Sequence, residues 1–249
     1  MPERLRLDTL LVERNFFSTR SRARDAIARG TVTINGIVVK KAGQPVLENA
    51  DIAVFDPAQH YVSRAALKLI AALSYFPVKT EGVTALDIGA STGGFTEVLL
   101  EKGASHVIAV DVGHGQLHSS LVNHPAITLY EGLNARDLTN AHLKNRQIQL
   151  VVSDVSFISL KLALPPALSL AERGAQAVLL VKPQFEIGRE GVGRGGIVKD
   201  PLRAESVAHE LFYWLDGLDN WRAKGMIPSP IEGGDGNREY LLFGEKSND

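Results

Sequence analysis

Apolar positions recur along the chain in two different rhythms. In the first sixty residues they come in short bursts. Leu5, Leu7, Leu10, Leu11 and Val12 fit a short helix, and Ala23, Ala26 and Ile27 put an apolar stripe on a second helix over 20–29, with Ser18 as its cap and Gly30 as its stop. Arg20, Arg22, Arg24 and Arg29 fall on the exposed faces of that helix. Strand-forming runs over 31–34 and 37–39 flank Asn35-Gly36, the pair that a tight hairpin turn favours because both of its central residues need positive φ. Asp56-Pro57 and the polar residues through His60 read as a linker, about 56–62. The expected division is therefore a small unit over 1–60 and a large one over 63–249.

From Ser63, the expected cap of a helix over 64–72, strand and helix patterns alternate. Strands are predicted over 83–88, 106–110, 150–153, 177–181 and 240–243. Helices are predicted over 95–102, 160–173 and 205–215. This alternation predicts an α/β domain: a mostly parallel sheet with helices on both faces.

Composition narrows the classes. A chain of 249 residues, 45% hydrophobic and 22% charged, is typical of globular proteins. It contains no apolar run of the ~18 residues needed to span a bilayer, and no signal-peptide layout, so a cytoplasmic protein with no membrane partner is expected. Cysteine is absent, which excludes disulfides, thiolate metal sites and cysteine nucleophiles. Charge is uneven: residues 1–45 carry nine Lys/Arg against four Asp/Glu, while the remainder carries 18 against 24. Only the small unit is a candidate grip on a polyanion.

Ligands of parallel sheets bind at the carboxyl ends of the strands. The first strand of the large unit ends in Asp87, Gly89, Ala90, Ser91, Thr92, Gly93, Gly94 and Phe95, a glycine-rich turn that lets a ligand approach backbone. The second ends at Asp111, whose carboxylate can accept hydrogen bonds from both hydroxyls of a ribose. Ser91 stands where a dinucleotide fingerprint needs its second glycine, and no Gly-Lys-Ser/Thr occurs, so the usual pyrophosphate cradles are missing. The pattern D-x-G-x-x-x-G-G-F instead resembles the first motif of methyltransferases that use S-adenosylmethionine.

Four further polar residues occupy informative places: Lys68 on the helix before the first strand, Asp154 and Lys182 at strand ends, and Glu239 before the last strand. A lysine after five apolar residues, as at Lys182, stands where burial disfavours its charge. Phe157 follows Asp154 and could stack on a base or a cofactor adenine, or simply pack. The run 188–196 holds five glycines in nine residues and reads as a lid over substrate, with Arg189 and Arg194 meeting phosphate, or as a plain flexible loop. His114, His118 and His124 lack carboxylate partners at helical spacing, so no metal is expected.

These features carry three resemblances. The arginine-rich helix leading into the hairpin resembles the small RNA-binding domain named after ribosomal protein S-four; that likeness implies Arg4, Arg6, Arg20, Arg22, Arg24, Lys40 and Lys41 as phosphate contacts. The order Lys68, Asp154, Lys182, Glu239 resembles the catalytic tetrad of FtsJ-like RNA ribose 2′-O-methyltransferases. Through DIGASTGGF, VIAVDVG, LVVSDVSFISL, VKPQFE and GGDGNREYLLF the whole chain resembles the TlyA (hemolysin A) family, which joins an S-four-type domain to a Rossmann-like methyltransferase domain. The resemblance implies S-adenosylmethionine as cofactor and cytidine 2′-hydroxyls of bacterial ribosomal RNA as substrate. An alcohol is a weak nucleophile, so its proton must leave as it attacks, and Lys182 is the candidate base. Methylation at pyrimidine carbon five would need a cysteine, and exocyclic-amine methylation usually shows Asn/Asp-Pro-Pro-aromatic where this chain has Asp154-Val155-Ser156-Phe157. The rival readings are a non-catalytic RNA-binding or ribosome-assembly factor, and a membrane-active hemolysin-like protein.

Overall fold

The structure is a computed structural model describing residues 4–234 and 236–248, with the Arg189 side chain outside the described set. The chain forms two compact units, Met1–His60 and Tyr61–Asp249.

The first unit comprises β1 (Arg4–Arg6), α1 (Leu7–Glu13), α2 (Arg20–Ala28), β2 (Val32–Ile34), β3 (Ile37–Val38), β4 (Pro45–Leu47) and β5 (Ile52–Val54). β1 pairs with β4, and β2 lies between β3 and β5, all antiparallel. Its core gathers Leu7, Leu10, Leu11, Ala23, Ala26, Ile27 and Val32, the stripes of both helices and the first strand of the hairpin. Asn35 and Gly36 turn the hairpin with φ of 50° and 77°. The cap of α2 is Thr19, one residue beyond the expected Ser18; its hydroxyl accepts from Arg22 N at 3.3 Å. Arg29, expected on an exposed face, is folded inward instead. Its Nε meets Asp25 at 2.9 Å, and Nη1 and Nη2 meet the two oxygens of Asp56 at 2.8 Å each. Asp56, expected in a linker, is thus a buried anchor. Burial pushes its carboxyl up, but the bonds from Arg29 and Ala58 N outweigh this and hold it below the usual carboxylate range.

The second unit comprises α3 (Ala66–Tyr75), β6 (Thr84–Ile88), α4 (Gly94–Glu101), β7 (His106–Asp111), α5 (Ser119–Val122), β8 (Ile127–Glu131), β9 (Ile148–Ser153), α6 (Leu160–Ala163), α7 (Pro165–Leu170), β10 (Ala171–Val181), α8 (Pro201–Asp216), β11 (Trp221–Pro228) and β12 (Tyr240–Lys246). Its seven strands run in the order β11-β12-β10-β9-β6-β7-β8. The five from β10 to β8 are parallel; β12 and β11 are added antiparallel. Period-two alternation sorts each strand between two cores. Ala85, Val107, Val152 and Leu180 face α3 and α4, while Leu86, Ile108, Val151 and Leu179 face α6, α7 and α8.

The helix expected over 160–173 is broken. Pro165 and Pro166 follow Leu164, dividing it into α6 and α7, and at Ala171 the chain is already extended into β10. The end of α7 is held by a distant lysine: Lys246 Nζ donates to the carbonyls of Leu168, Ser169 and Ala171 at 3.1, 3.0 and 2.7 Å. β8 and β11 were not expected from the pattern. β8 is short, and the burial of β11 alternates around polar residues and Gly225.

Candidate active site

Strand register brings the site to one edge of the large sheet. Ile88 pairs with Val110 and Ser153, and Leu179 pairs with Ser153, so the residues leaving β6, β7, β9 and β10 emerge together. β12 enters at the same edge, since Val181 pairs with Tyr240. Gly89, Asp111, Asp154, Lys182 and Glu239, distant in sequence, therefore collect at this edge.

The glycine-rich turn is shaped by left-handed backbone at Gly89, Ser91 and Gly93 (φ of 85°, 47° and 96°). At Gly89 a side chain is excluded twice over, because a Cβ would also come 2.7 Å from the Asp154 carbonyl oxygen. Asp111 ties the turn to β7: its Oδ2 accepts from Ser91 N at 2.8 Å and its Oδ1 from Gly113 N at 2.7 Å. A carboxylate has about four acceptor positions, so two remain for a ligand.

A cavity of about 520 Å³ lies beside this turn. Asp111, Gln116 and Asn134 line it with polar groups, and Val112, Leu133 and Ile158 with apolar ones. A second cavity, about 140 Å³, shares Gly89, Ser91, Asp154 and Ser156 with the first and adds Ser63, Thr92 and Lys182. Lys182 Nζ stands 2.6 Å from Asp154 Oδ1 and donates to Ser156 Oγ at 2.8 Å. Lys68 and Glu239 form a separate, buried ion pair at 2.5 Å, and neither lines the two cavities. The four expected residues thus form two ion pairs. Of the four, Lys182 and Asp154 line these two cavities and Lys68 and Glu239 do not.

Of the residues expected at the cofactor, Gly89, Ser91, Asp111 and Asp154 line the large cavity, and Ala90, Thr92, Gly94 and Phe95 line the small one, Phe95 being otherwise a core residue. Gly93 and Asp87 line neither. Asp87 follows Ala85 by two on its strand and turns toward α4, where Thr96 Oγ1 donates to its Oδ2 at 2.6 Å. Complete burial, reinforced by the negative charges of Asp154 and Asp111, pushes its carboxyl up from 3.8 to about 7, against the Thr96 bond. A carboxyl raised on folding binds more protons in the folded state, so its contribution to stability declines as pH rises from about 4 to 7. Asp87→Asn keeps an acceptor for Thr96 and removes that titration. The expected result is a smaller fall in melting temperature between pH 5 and pH 8 than in the parent; an unchanged fall would refute the assignment.

Other placements refine the expectations. Phe157 is 91% exposed at φ 65°, a left-handed conformation rare for an aromatic residue, with its ring 5.0 Å from that of Phe185. The glycine-rich run forms two short turns, Arg189–Gly191 and Arg194–Gly196, and a bridge between Val192 and Val198. It is fastened by Asn237, nearly fully buried and two residues before Glu239: Asn237 Oδ1 accepts from Val198 N, and its Nδ2 donates to Gly196 O, both at 2.9 Å. Arg194 is exposed; the Arg189 side chain lies outside the described residues. In the first unit Arg4, Arg6, Arg20, Arg24, Lys40 and Lys41 are exposed, while Arg22 donates to the Ala58 and Gln59 carbonyls at 3.1 and 3.2 Å.

Sequence reasoning missed Ser156, Gln116, Asn134 and Asn237. Asn134 follows the unexpected strand β8; had that strand been recognised, its carboxyl end would have been read like the others. Ser156, two residues after Asp154, was open to the same reading. Among the described residues no cluster of three or more His, Cys, Asp or Glu could hold a metal ion, and no helix is long and apolar enough to cross a membrane.

Comparison with known proteins matches residues 61–246 to the FtsJ-like methyltransferase family and residues 5–52 to the S4 domain. The chain is 45% identical to the 16S/23S rRNA (cytidine-2′-O)-methyltransferase TlyA of Mycobacterium tuberculosis, over 98% of this chain and 90% of that one. The chain belongs to the TlyA family of FtsJ-like methyltransferases. Hemolysin A of Brachyspira hyodysenteriae is 36% identical across 95% of this chain and 98% of its own. A solved structure from Streptococcus thermophilus, described as a candidate hemolysin, superposes with a TM-score of 0.76 at 37% identity, covering 100% of this chain and 90% of that one. An O-methyltransferase from Bacillus cereus, at 15% identity and a TM-score of 0.51 over 75% of this chain and 83% of its own, shares the fold alone. The mostly parallel sheet with helices on both faces and the RNA-binding type of the first domain agree with the family.

Proposed function

We propose that this protein methylates the ribose 2′-hydroxyl of a cytidine in bacterial ribosomal RNA, with S-adenosylmethionine as methyl donor, in the cytoplasm. The observation that carries the reading is the Lys182–Asp154 pair, 2.6 Å apart, in a small cavity that shares its floor with the larger one beside the glycine-rich turn. The residues present fit the cofactor. Asp111 has acceptor capacity left for two ribose hydroxyls, Val112, Leu133 and Ile158 offer apolar walls for a purine, and the turn at Gly89 admits a ligand against backbone. When bound, S-adenosylmethionine supplies an electrophilic methyl group carried on a positively charged sulfur.

The chain's own residues do the rest. Asp154 and Ser156 fix Lys182 Nζ from two sides, so that the amine meets an incoming hydroxyl in one orientation. Once its own extra proton has passed to Asp154, 2.6 Å away, the neutral Lys182 amine takes the hydroxyl proton as the oxygen attacks. The buried Lys68–Glu239 pair holds the start of β12 against α3 and so supports the edge from which Lys182 projects. The exposed ring of Phe157 is an aromatic platform beside the larger cavity, suited to stacking on a nucleobase. The basic residues of the first unit supply phosphate contacts, which position RNA without reading its sequence.

The reading is tested by incubating the protein with radiolabelled S-adenosylmethionine and unmodified ribosomal subunits. Label is expected in RNA at positions that resist alkaline hydrolysis, because a methylated 2′-oxygen cannot attack the neighbouring phosphate. Label confined to bases, or no label at all, would overturn it.

A further inference from the structure

A carboxylate with no part in this chemistry lies in the first unit. Asp8 is fully buried, yet both of its oxygens are engaged by arginines whose side chains remain 54% exposed. Arg6 donates from Nε to Oδ1 and from Nη2 to Oδ2, each at 3.0 Å, and Arg20 donates from Nη2 to the same Oδ2, also at 3.0 Å. The two cations come from separate elements, β1 and the first residue of α2, and would repel one another without the shared oxygen. Each guanidinium has five N–H donors, and among the described residues no other acceptor takes those left over. Gly43 completes the seat: a Cβ there would come within 3.0 to 3.2 Å of Arg6 Nη1, Nη2 and Cζ.

We propose that Asp8 is a positioning residue for RNA, gathering Arg6 and Arg20 into one two-pronged clamp for a single phosphate. The inference rests on the RNA-binding reading given above and adds to it a specific geometry and an organiser. The hydrogen bonds from Arg6, ahead of the one from Arg20, hold the Asp8 carboxyl at about 2 against the opposing effect of burial, so the organiser stays charged at every pH at which RNA would be bound. Fixing two flexible side chains in advance removes an ordering cost that each would otherwise meet on binding. The bidentate fork of arginine suits the two free oxygens of a phosphodiester.

Charge alone and positioning predict opposite signs. Removing an acid from a surface that meets a polyanion should tighten binding if only net charge matters. Removing an organiser should weaken it. The test is filter binding of the full chain to transcribed, unmodified ribosomal RNA over a series of potassium chloride concentrations. Asp8→Asn is expected to weaken binding about tenfold and to lower the salt slope by about one counterion. Arg6→Ala and Arg20→Ala should each cost about as much as the pair together, since two halves of one clamp are not additive. Gly43→Ala, which crowds Arg6 and leaves the buried carboxylate untouched, should weaken binding about threefold; it keeps the test decisive if Asp8→Asn misfolds. Asp8→Asn that folds and binds as tightly as the parent, or tighter, overturns the clamp. So does Gly43→Ala at parental affinity where Asp8→Asn does not fold. If the parent itself binds no RNA, or the double arginine variant binds unchanged, it is the RNA reading of the first unit that fails, and the clamp falls with it.

Discussion

Replacing Lys182 with alanine is expected to lower kcat/KM for RNA methylation by about 10² to 10⁴-fold, the usual worth of a positioned general base. Arginine at the same place should be nearly as inactive. A guanidinium keeps positive charge near the reacting oxygen but does not surrender its proton, so it cannot serve as an acceptor. A Lys182→Arg variant with activity close to the parent would mean that the residue acts through charge alone. Binding of S-adenosylmethionine, followed by calorimetry, should be nearly unchanged in both variants, because Lys182 lines the smaller cavity and not the larger one. A loss of cofactor affinity as large as the loss of rate would place Lys182 on the wrong ligand.

The second large effect concerns stability. Lys68 and Glu239 are 7% and 2% exposed and meet at 2.5 Å, so removing one partner strands a charge in the interior. Lys68→Met is expected to destabilise the large unit by about 3–5 kcal/mol, since breaking a buried pair leaves its partner uncompensated. For a unit of this size that corresponds to a fall in Tm of roughly 10 °C. Combining Lys68→Met with Glu239→Leu should recover most of the loss, because well-packed apolar residues replace a buried pair at little cost. Methylation should stay impaired in the double variant. Full recovery of activity along with stability would assign the pair to folding alone and end its role in positioning the edge that carries Lys182.

The alternation of strands and helices was legible in the sequence, and so were the polar residues that gather at one edge of the sheet. Lys182 was legible because it ends a run of apolar residues, where a polar group is costly unless used, and Asp154 because it stands at the carboxyl end of a predicted strand. Their partnership was not legible, since it depends on the register that sets β9 beside β10. Asp87 shows a limit of motif reading: it sits in the glycine-rich signature, but alternation along β6 turns it toward α4 and away from both cavities. Arg29 shows a limit of helical patterning. Its position on α2 implied exposure, and only the return of the chain at Asp56, 27 residues later, draws it inward. The helix expected over 160–173 failed for a local reason, Pro165-Pro166 after Leu164; what lay beyond local reading was the end of α7, whose carbonyls accept from Lys246, more than seventy residues on. Local propensity decided where elements begin. Contacts distant in sequence decided where they stop and what their side chains meet.

The strand order has a consequence for how the protein comes into being. β12 is the latest strand in synthesis among the described residues, yet it is inserted between β10 and β11. Until residues through Lys246 have left the exit tunnel, β11 has no strand partner and β10 is paired only on its β9 side. A nascent chain lacking this segment would leave one edge of β10 open and β11 unpaired, an invitation to aggregation. The sheet edge from which Lys182 projects is therefore completed only once β12 has joined it.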